Sequence, residues 1–154
     1  MKSINNYILE KLVINKNTGK KYYNFFPKTK KELRDIIKQR IKEEGNECNL
    51  NDIDVSKITD MTDLFYNSIF NGDISEWDVS NVTNMNYMFY YSNFNGDISK
   101  WDVSNVKSMW GMFACSKFNQ DISNWDVSNV KEMQLIFNGT SLEDKEKEWW
   151  GKTK

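Results

Sequence analysis

The stretch FNGDISKWDVSNVKSM, residues 94–109, occurs three times with small changes. Related versions, FNGDISEWDVSNVTNM and FNQDISNWDVSNVKEM, begin at Phe70 and Phe118, so the period is 24 residues. A weaker version over residues 53–65 precedes them in the same register. A fixed period of this size indicates structural units that stack on one another. The sequence therefore predicts a solenoid.

Each unit divides into two halves with different apolar spacing. In residues 98–103 the pattern I-x-x-W-x-V favours a strand-like edge. In residues 104–113 the apolar spacing fits one face of a short helix or 3₁₀ segment, with Ser104 or Asn105 as its N-cap. We therefore expect an α/β repeat in which each unit holds one strand edge and one short helix.

The repeat motif F-N-x-D-I-S-x-W-D-V-S-N-V-x-x-M, followed by x-x-M-F, resembles the BspA-type leucine-rich-repeat family of bacterial surface proteins and lipoproteins. The resemblance covers roughly residues 49–137, and PKTKKELRDIIKQRIKEEG resembles the helical cap that often precedes such repeats. It implies a short leucine-rich-repeat-like solenoid that binds other macromolecules and has no catalytic residues. Val106 departs from the leucine-rich pattern, which usually has Asn or Cys there.

We expect one folded domain with three parts. Residues 1–48 form an N-terminal cap, with a hairpin over residues 7–26 and a helix over residues 30–44 that begins with capping-box spacing. Residues 49–137 form the solenoid of about four 24-residue repeats. Residues 138–154 form a C-terminal cap whose two tryptophans pack over the last repeat.

Charge is distributed unevenly along the chain. Residues 1–45 carry 12 Lys and Arg against 5 Asp and Glu, and residues 46–154 carry 9 against 17, although the net charge is only −1. This asymmetry predicts a basic cap and an acidic solenoid. It fits either two solvated surfaces or a partner that is steered electrostatically.

The opening residues show no apolar export signal and no lipobox cysteine, and no stretch has the ~18–20 apolar residues of a membrane span. We therefore expect a cytoplasmic protein without membrane insertion, with the cell surface as the alternative. The two cysteines, Cys48 and Cys115, do not indicate a disulfide framework.

Catalytic motifs are missing from the sequence. It contains no histidine, P-loop, G-x-G-x-x-G or Cys-x-x-Cys, which argues against an enzyme. The recurring aspartates fit a Ca²⁺ site, a carboxylate pair or turns. Because the same role recurs in every unit, we favour turns and expect no catalytic residue, cofactor or metal. The aspartates are Asp54, Asp78, Asp102 and Asp126 in one series and Asp73, Asp97 and Asp121 in the other.

The recurring tryptophans Trp77, Trp101 and Trp125 fit either a stacking platform for sugars or bases or the solenoid core. Each lies between an Ile and a Val of the strand-like half, with a Met and a Phe following in the other half. We therefore predict that they are core residues.

Positions that vary between repeats are candidates for binding, because they are not needed to close the fold. Tyr90 and Tyr91 stand where the next repeat has Ala114 and Cys115. With their neighbours they predict an aromatic patch of the kind that anchors protein interfaces. The predicted partner-binding residues are Tyr87, Tyr90, Tyr91, Trp110, Glu76 and Lys100.

These observations favour a non-catalytic protein–protein interaction module, an inhibitor or adaptor that occupies a basic site on a target protein. One alternative is a cell-surface adhesion protein, as the family resemblance implies. Another is nucleic-acid binding through the basic N-terminal cap, which salt would weaken strongly. The lysines and arginine of that cap are Lys20, Lys21, Lys28, Lys30, Lys31, Arg34 and Lys38.

Overall fold

The computed structural model describes residues 22–151 and, within them, two α-helices. Helix α1 spans Lys30–Glu44, and helix α2 spans Glu146–Trp150 directly after a 3₁₀ turn at Glu143–Lys145. Between the helices lie the four repeats, which we number first (residues 49–69), second (70–93), third (94–117) and fourth (118–137). In the described residues no helix is long and apolar enough to cross a membrane.

Helix α1 begins and ends where its sequence predicts. The Thr29 hydroxyl accepts the Glu32 N–H at 3.2 Å, and the Glu32 carboxylate accepts the Lys28 N–H at 2.8 Å. Satisfying free N–H groups in this way stabilises the first turn. Leu33 and Ile37 are buried against the first repeat. The helix ends at Gly45, which has a φ of 90° and donates its N–H to the Ile41 carbonyl.

A buried arginine, Arg40, links α1 to the segment that precedes it and to the first repeat that follows it. Arg40 is 6% exposed and donates to both oxygens of Asp52 at 2.8 and 2.9 Å and to the Asn49 carbonyl at 2.9 Å. Asp52 also accepts a hydrogen bond from the Asn24 side chain at 2.8 Å. The guanidinium stacks 5.3 Å from the centroid of Phe25. One ion pair therefore joins the segment before α1, the helix itself and the first repeat.

The predicted α/β repeat, a short leucine-rich-repeat-like solenoid, is wrong. Within residues 22–151 the repeats contain no helix and no sheet, and their only extended pairings are isolated parallel bridges such as Asn84 with Ser108. The strand-like half folds as turns, because the Trp101 N–H donates to the Ile98 carbonyl at 3.1 Å and the Val106 N–H donates to the Val103 carbonyl at 2.9 Å.

The helix predicted for the second half is also absent. Its proposed N-cap residues have other partners: the Ser104 hydroxyl donates to Asp102 at 2.6 Å, and the Asn105 amide donates to the Ser80 carbonyl at 2.8 Å. In the second repeat Tyr87 and Tyr91 have φ values of 55° and 54°. Left-handed residues four positions apart prevent a right-handed helix from continuing. The apolar spacing therefore comes from consecutive turns.

The repeats stack in register through one segment of each unit. We call residues 61–67, 85–91, 109–115 and 133–139 the Met–Phe segments. In each of the first three, alternate N–H groups donate to carbonyls of the following repeat. In the second repeat the donors Met85, Tyr87, Phe89 and Tyr91 pair with the carbonyls of Ser108, Trp110, Met112 and Ala114 at 2.8–3.0 Å. Most of the intervening N–H groups, such as those of Met88 and Tyr90, close turns within their own repeat.

Aromatic columns fill the core between the repeats. Phe65, Phe89, Phe113 and Phe137 stack with ring centroids 5.4, 5.6 and 6.0 Å apart. Trp77, Trp101 and Trp125 stack 6.4 Å apart and are each 4% exposed, which confirms that they are core residues. Their indole N–H groups donate to the carbonyls of Leu50, Ile74 and Ile98 in the preceding repeat, so the buried donors are satisfied.

The C-terminal end of the stack is closed by carboxylates. The Leu135 and Gly139 N–H groups occupy the donor positions that face a following repeat elsewhere. They donate instead to Glu146 at 3.0 Å and to Glu143 at 3.2 Å. Two predictions fall largely outside the described residues: the hairpin over residues 7–26, of which only 22–26 are described, and the packing of the Trp149 and Trp150 side chains.

Candidate functional site

Two positions in every Met–Phe segment have left-handed backbone conformations. The first holds Asp63, Tyr87, Gly111 and Leu135, and the second holds Asn67, Tyr91, Cys115 and Gly139, all with φ between 50° and 69°. Gly, Asn and Asp adopt this conformation readily, whereas it is strained for bulky side chains. The second repeat is the one that places a tyrosine at both positions.

Those tyrosines belong to a cluster of touching rings. The aromatic cluster consists of Tyr66, Tyr87, Tyr90, Tyr91 and Trp110. Tyr66 stacks on Tyr90 at 5.3 Å, and Tyr90 meets the edges of Tyr87 at 5.5 Å and Tyr91 at 4.8 Å. Tyr87 lies 6.3 Å from Trp110. Tyr66, Tyr91 and Trp110 are 52%, 56% and 41% exposed, so the cluster presents a continuous aromatic surface over three repeats.

Neighbouring residues hold the cluster in place. A Cβ atom added to Gly111 would lie 2.8 Å from the Tyr87 ring, so that ring packs directly over the glycine backbone. The Asn86 side-chain oxygen accepts hydrogen bonds from the backbone N–H of Trp110 at 2.7 Å and from the Ser108 hydroxyl at 2.5 Å. The cluster is therefore organised before any partner arrives, which lowers the entropic cost of binding.

A groove adjoins the cluster at Tyr66. This edge groove, of about 560 Å³, lies between α1 and the Met–Phe segment of the first repeat. Its charged side chains are Arg34, Lys38 and Asp63. Its apolar side chains are Ile37, Ile41, Leu64, Phe65 and Tyr66, and Asn67 and Ser68 complete the lining.

The structure brings together four of the six residues predicted to bind a partner, Tyr87, Tyr90, Tyr91 and Trp110. Glu76 and Lys100 are exposed at equivalent positions in the other half of their repeats, beside Trp77 and Trp101. Sequence reasoning missed Tyr66, although its repeat position is that of Tyr90. Comparison of those two positions was the signal that could have found it.

The recurring aspartates form turns in both series. Asp73, Asp97 and Asp121 each accept the N–H of the serine two residues later at 2.9 Å. The backbone N–H of Ser99 lowers the pKa of Asp97, and the Ser104 hydroxyl lowers the pKa of Asp102. Among the described residues no group of three or more Cys, Asp or Glu is placed to hold a metal ion.

Several cations of the N-terminal cap already have partners. Lys30 pairs with Asp60 at 2.6 Å, Lys31 pairs with Asp35 at 2.8 Å, and Arg34 donates to the Asp63 carbonyl at 3.4 Å. Lys28 and Lys38 are exposed, and Lys20 and Lys21 lie outside the described residues. Internal pairing reduces the positive charge that this surface offers to a phosphate backbone.

Residues 31–150, from the first turn of α1 to the last residue of α2, match the family model described as "Mycoplasma protein of unknown function, DUF285". The chain belongs to this family. The region matched to DUF285 includes both the aromatic cluster and the lining of the edge groove. No curated protein and no solved structure matches the chain.

Proposed function

We propose that this protein is a non-catalytic binding module whose aromatic cluster docks into a basic site on a target protein. The observation that carries the proposal is the conformation of Tyr87 and Tyr91. Both tyrosines have left-handed backbones, which cost free energy in an L-residue, and both contribute rings to one exposed cluster. Strain of this kind at a surface of touching rings favours a binding role for those side chains.

The chemistry of the cluster fits a protein partner. Tyr and Trp supply large contact areas with few rotatable bonds, and they are common among the residues that dominate interface energies. Residues 46–154 carry an excess of eight acidic residues, which favours approach to a basic target. Arginine and lysine side chains of such a target can also stack on the exposed rings of Tyr91 and Trp110.

The repeats themselves supply variants that test the proposal. Tyr91→Asn and Trp110→Gln introduce residues that other repeats carry at the same positions, Asn67 and Gln134. The matched control is Ile69→Asn, because Ile69 is 63% exposed and the next repeat carries Asn93 there. Each change is therefore compatible with the backbone of the repeat.

The measurement is affinity capture from lysate at low and high salt, followed by titration of the captured protein with each variant. We expect a discrete basic protein that the wild type and Ile69→Asn retain and that Tyr91→Asn/Trp110→Gln binds at least about tenfold more weakly. Capture of nucleic acid alone would favour the basic cap instead. Binding only to intact cells would favour adhesion, the function that the BspA-type resemblance implies.

A further inference from the structure

The edge of the first repeat beside α1 presents backbone carbonyls that accept no hydrogen bond from any residue the structure describes. In the second repeat the carbonyls of residues 86, 88 and 90 accept N–H groups from the first repeat at 2.8–3.1 Å. The equivalent carbonyls in the first repeat are those of Thr62, Leu64 and Tyr66. No described residue donates a hydrogen bond to any of these three, although all three residues line the edge groove or adjoin it.

The walls of the groove define what can occupy it. On the α1 side Ile37 and Ile41 provide apolar surface, and Arg34 and Lys38 provide two positive charges against the single carboxylate of Asp63. A chain segment that adds to a row of free carbonyls supplies its own backbone N–H groups, as extended peptides do when they pair with an exposed edge next to a helix. The excess of positive charge favours acidic side chains on that segment.

We propose that the edge groove binds an extended acidic peptide segment of a partner protein, which pairs with the first repeat and runs towards the aromatic cluster. The inference extends the proposed function, because Tyr66 belongs to both the groove and the cluster. Residues 1–21 of the chain are a poorer match in charge, since they carry five lysines and one glutamate. The partner segment replaces the hydrogen bonds that a preceding repeat would make.

The test uses fluorescently labelled peptides of about eight residues with alternating acidic residues and valine, a length and pattern suited to edge pairing. A second peptide has lysine in place of the acidic residues, and a third is the acidic peptide with alternate backbone nitrogens methylated. Binding to the full chain is followed by fluorescence polarisation. We expect the acidic peptide to bind and the other two to bind at least about tenfold more weakly.

Variants of the groove and of the cluster separate this inference from the proposed function. Arg34→Glu/Lys38→Glu should abolish binding of the acidic peptide, whereas Lys42→Glu, on an exposed position of the same helix, should leave it unchanged. Trp110→Gln, which tests the cluster, should also leave peptide binding within about twofold. If the acidic peptide does not bind while Trp110→Gln still weakens capture of the protein partner, the inference about the edge groove is wrong and the proposed function stands. If Trp110→Gln does not weaken capture of the protein partner, the proposed function is wrong.

A photoreactive residue identifies the occupant directly. With p-benzoylphenylalanine in place of Tyr66, illumination in the presence of the acidic peptide should give a peptide adduct. A crosslink to residues 1–21 of the same chain, or a crosslinked dimer of the chain, would overturn the proposal by naming a different occupant. Equal binding of the methylated and unmethylated peptides would overturn the edge pairing.

Discussion

Equivalent left-handed positions carry different residues in the four repeats, so the free-energy cost of this backbone conformation differs from repeat to repeat. At the first such position the four repeats carry Asp63, Tyr87, Gly111 and Leu135. Glycine adopts this conformation without steric penalty, whereas an L-residue with a bulky side chain loses roughly 1–2 kcal/mol. Gly111 therefore adopts the repeat geometry without strain, whereas Tyr87 and Leu135 are strained, and of these two only Tyr87 belongs to the aromatic cluster.

Replacing Leu135 with glycine should stabilise the protein. Because Leu135 is 48% exposed with φ of 61°, Leu135→Gly should raise the free energy of unfolding by about 0.5–1 kcal/mol. Leu135→Ala removes the same side chain but keeps the strain, so it serves as the matched control in chemical denaturation. Equal stabilities for the two variants would show that the conformation carries no cost there.

Acid should weaken the aspartate turns. The backbone N–H of Ser99 and the Ser104 hydroxyl hold the pKa values of Asp97 and Asp102 below their usual value of 3.8. A carboxyl whose pKa is lower in the folded state stabilises it above pH 3.8, and this contribution disappears as pH falls through the folded pKa. We expect Tm to fall steadily below about pH 4. Ser104→Ala should make that fall shallower, and an unchanged slope would contradict the assignment.

At the scale of elements, the turns of each repeat are stabilised by hydrogen bonds and ring stacking with the adjacent repeats. The indole N–H of Trp101 reaches the Ile74 carbonyl at 3.1 Å, and its ring stacks between those of Trp77 and Trp125. Short turns of this kind have few hydrogen bonds of their own to sustain them. Contacts between equivalent residues of adjacent repeats therefore stabilise the units.

Shortening the middle tryptophan should be costly. Trp101→Phe removes part of a packed ring and one of the two donors to the Ile74 carbonyl, which keeps the Trp77 N–H at 3.2 Å. We therefore expect a loss of about 1–3 kcal/mol in the free energy of unfolding. Trp110→Phe, at an exposed tryptophan, should change it by less than about 0.5 kcal/mol. Urea denaturation followed by circular dichroism compares the two. Similar losses for both variants would show that Trp101 contributes no more to stability than an exposed tryptophan does.

The sequence predicts the core of these elements better than their conformation. The 24-residue period identifies Trp77, Trp101 and Trp125 as equivalent buried residues, because burial depends on apolar type and register. The same period misleads about secondary structure, because Tyr87 and Leu135 are residue types that rarely adopt a left-handed backbone. The sequence predicts four of the five residues of the aromatic cluster. It does not predict the edge groove, because the groove depends on how α1 packs and no local pattern encodes that packing.

For the whole molecule, attachment of α1 depends on Arg40 as well as on the apolar contacts of Leu33 and Ile37. The amphipathic pattern predicts the apolar face but gives no sign that an arginine lies buried beside it. Arg40 binds Asp52 and Asn49 from the first repeat, and Glu44 lies 2.8 Å from its Nε atom. Such a buried charge stabilises the assembly only while its partners remain in place.

Loss of this arginine should loosen the N-terminal cap. Arg40→Met leaves Asp52 without its cation, and we expect the free energy of unfolding to fall by about 3–5 kcal/mol. Adding Asp52→Asn should recover part of the loss, because the uncompensated carboxylate is then gone. Lys31→Met removes an exposed ion pair of the same helix and should leave Tm unchanged. Hydrogen exchange would show protection lost first in α1, and uniform loss across the repeats would contradict a specific role of Arg40 in attaching this helix.

The direction of the hydrogen bonds in the Met–Phe segments gives the two ends of the stack opposite electrical character. Alternate N–H groups there point towards the C-terminal end, so these aligned peptide dipoles leave a negative carbonyl edge at the first repeat and a positive N–H edge at the fourth. Lys30 and Arg34 lie at the negative edge, and Glu143 and Glu146 lie at the positive one. The placement of Lys30 and Arg34 at one end and of Glu143 and Glu146 at the other thus matches the field of these peptide groups, and exchanging the two pairs would face that field with the wrong sign at both ends.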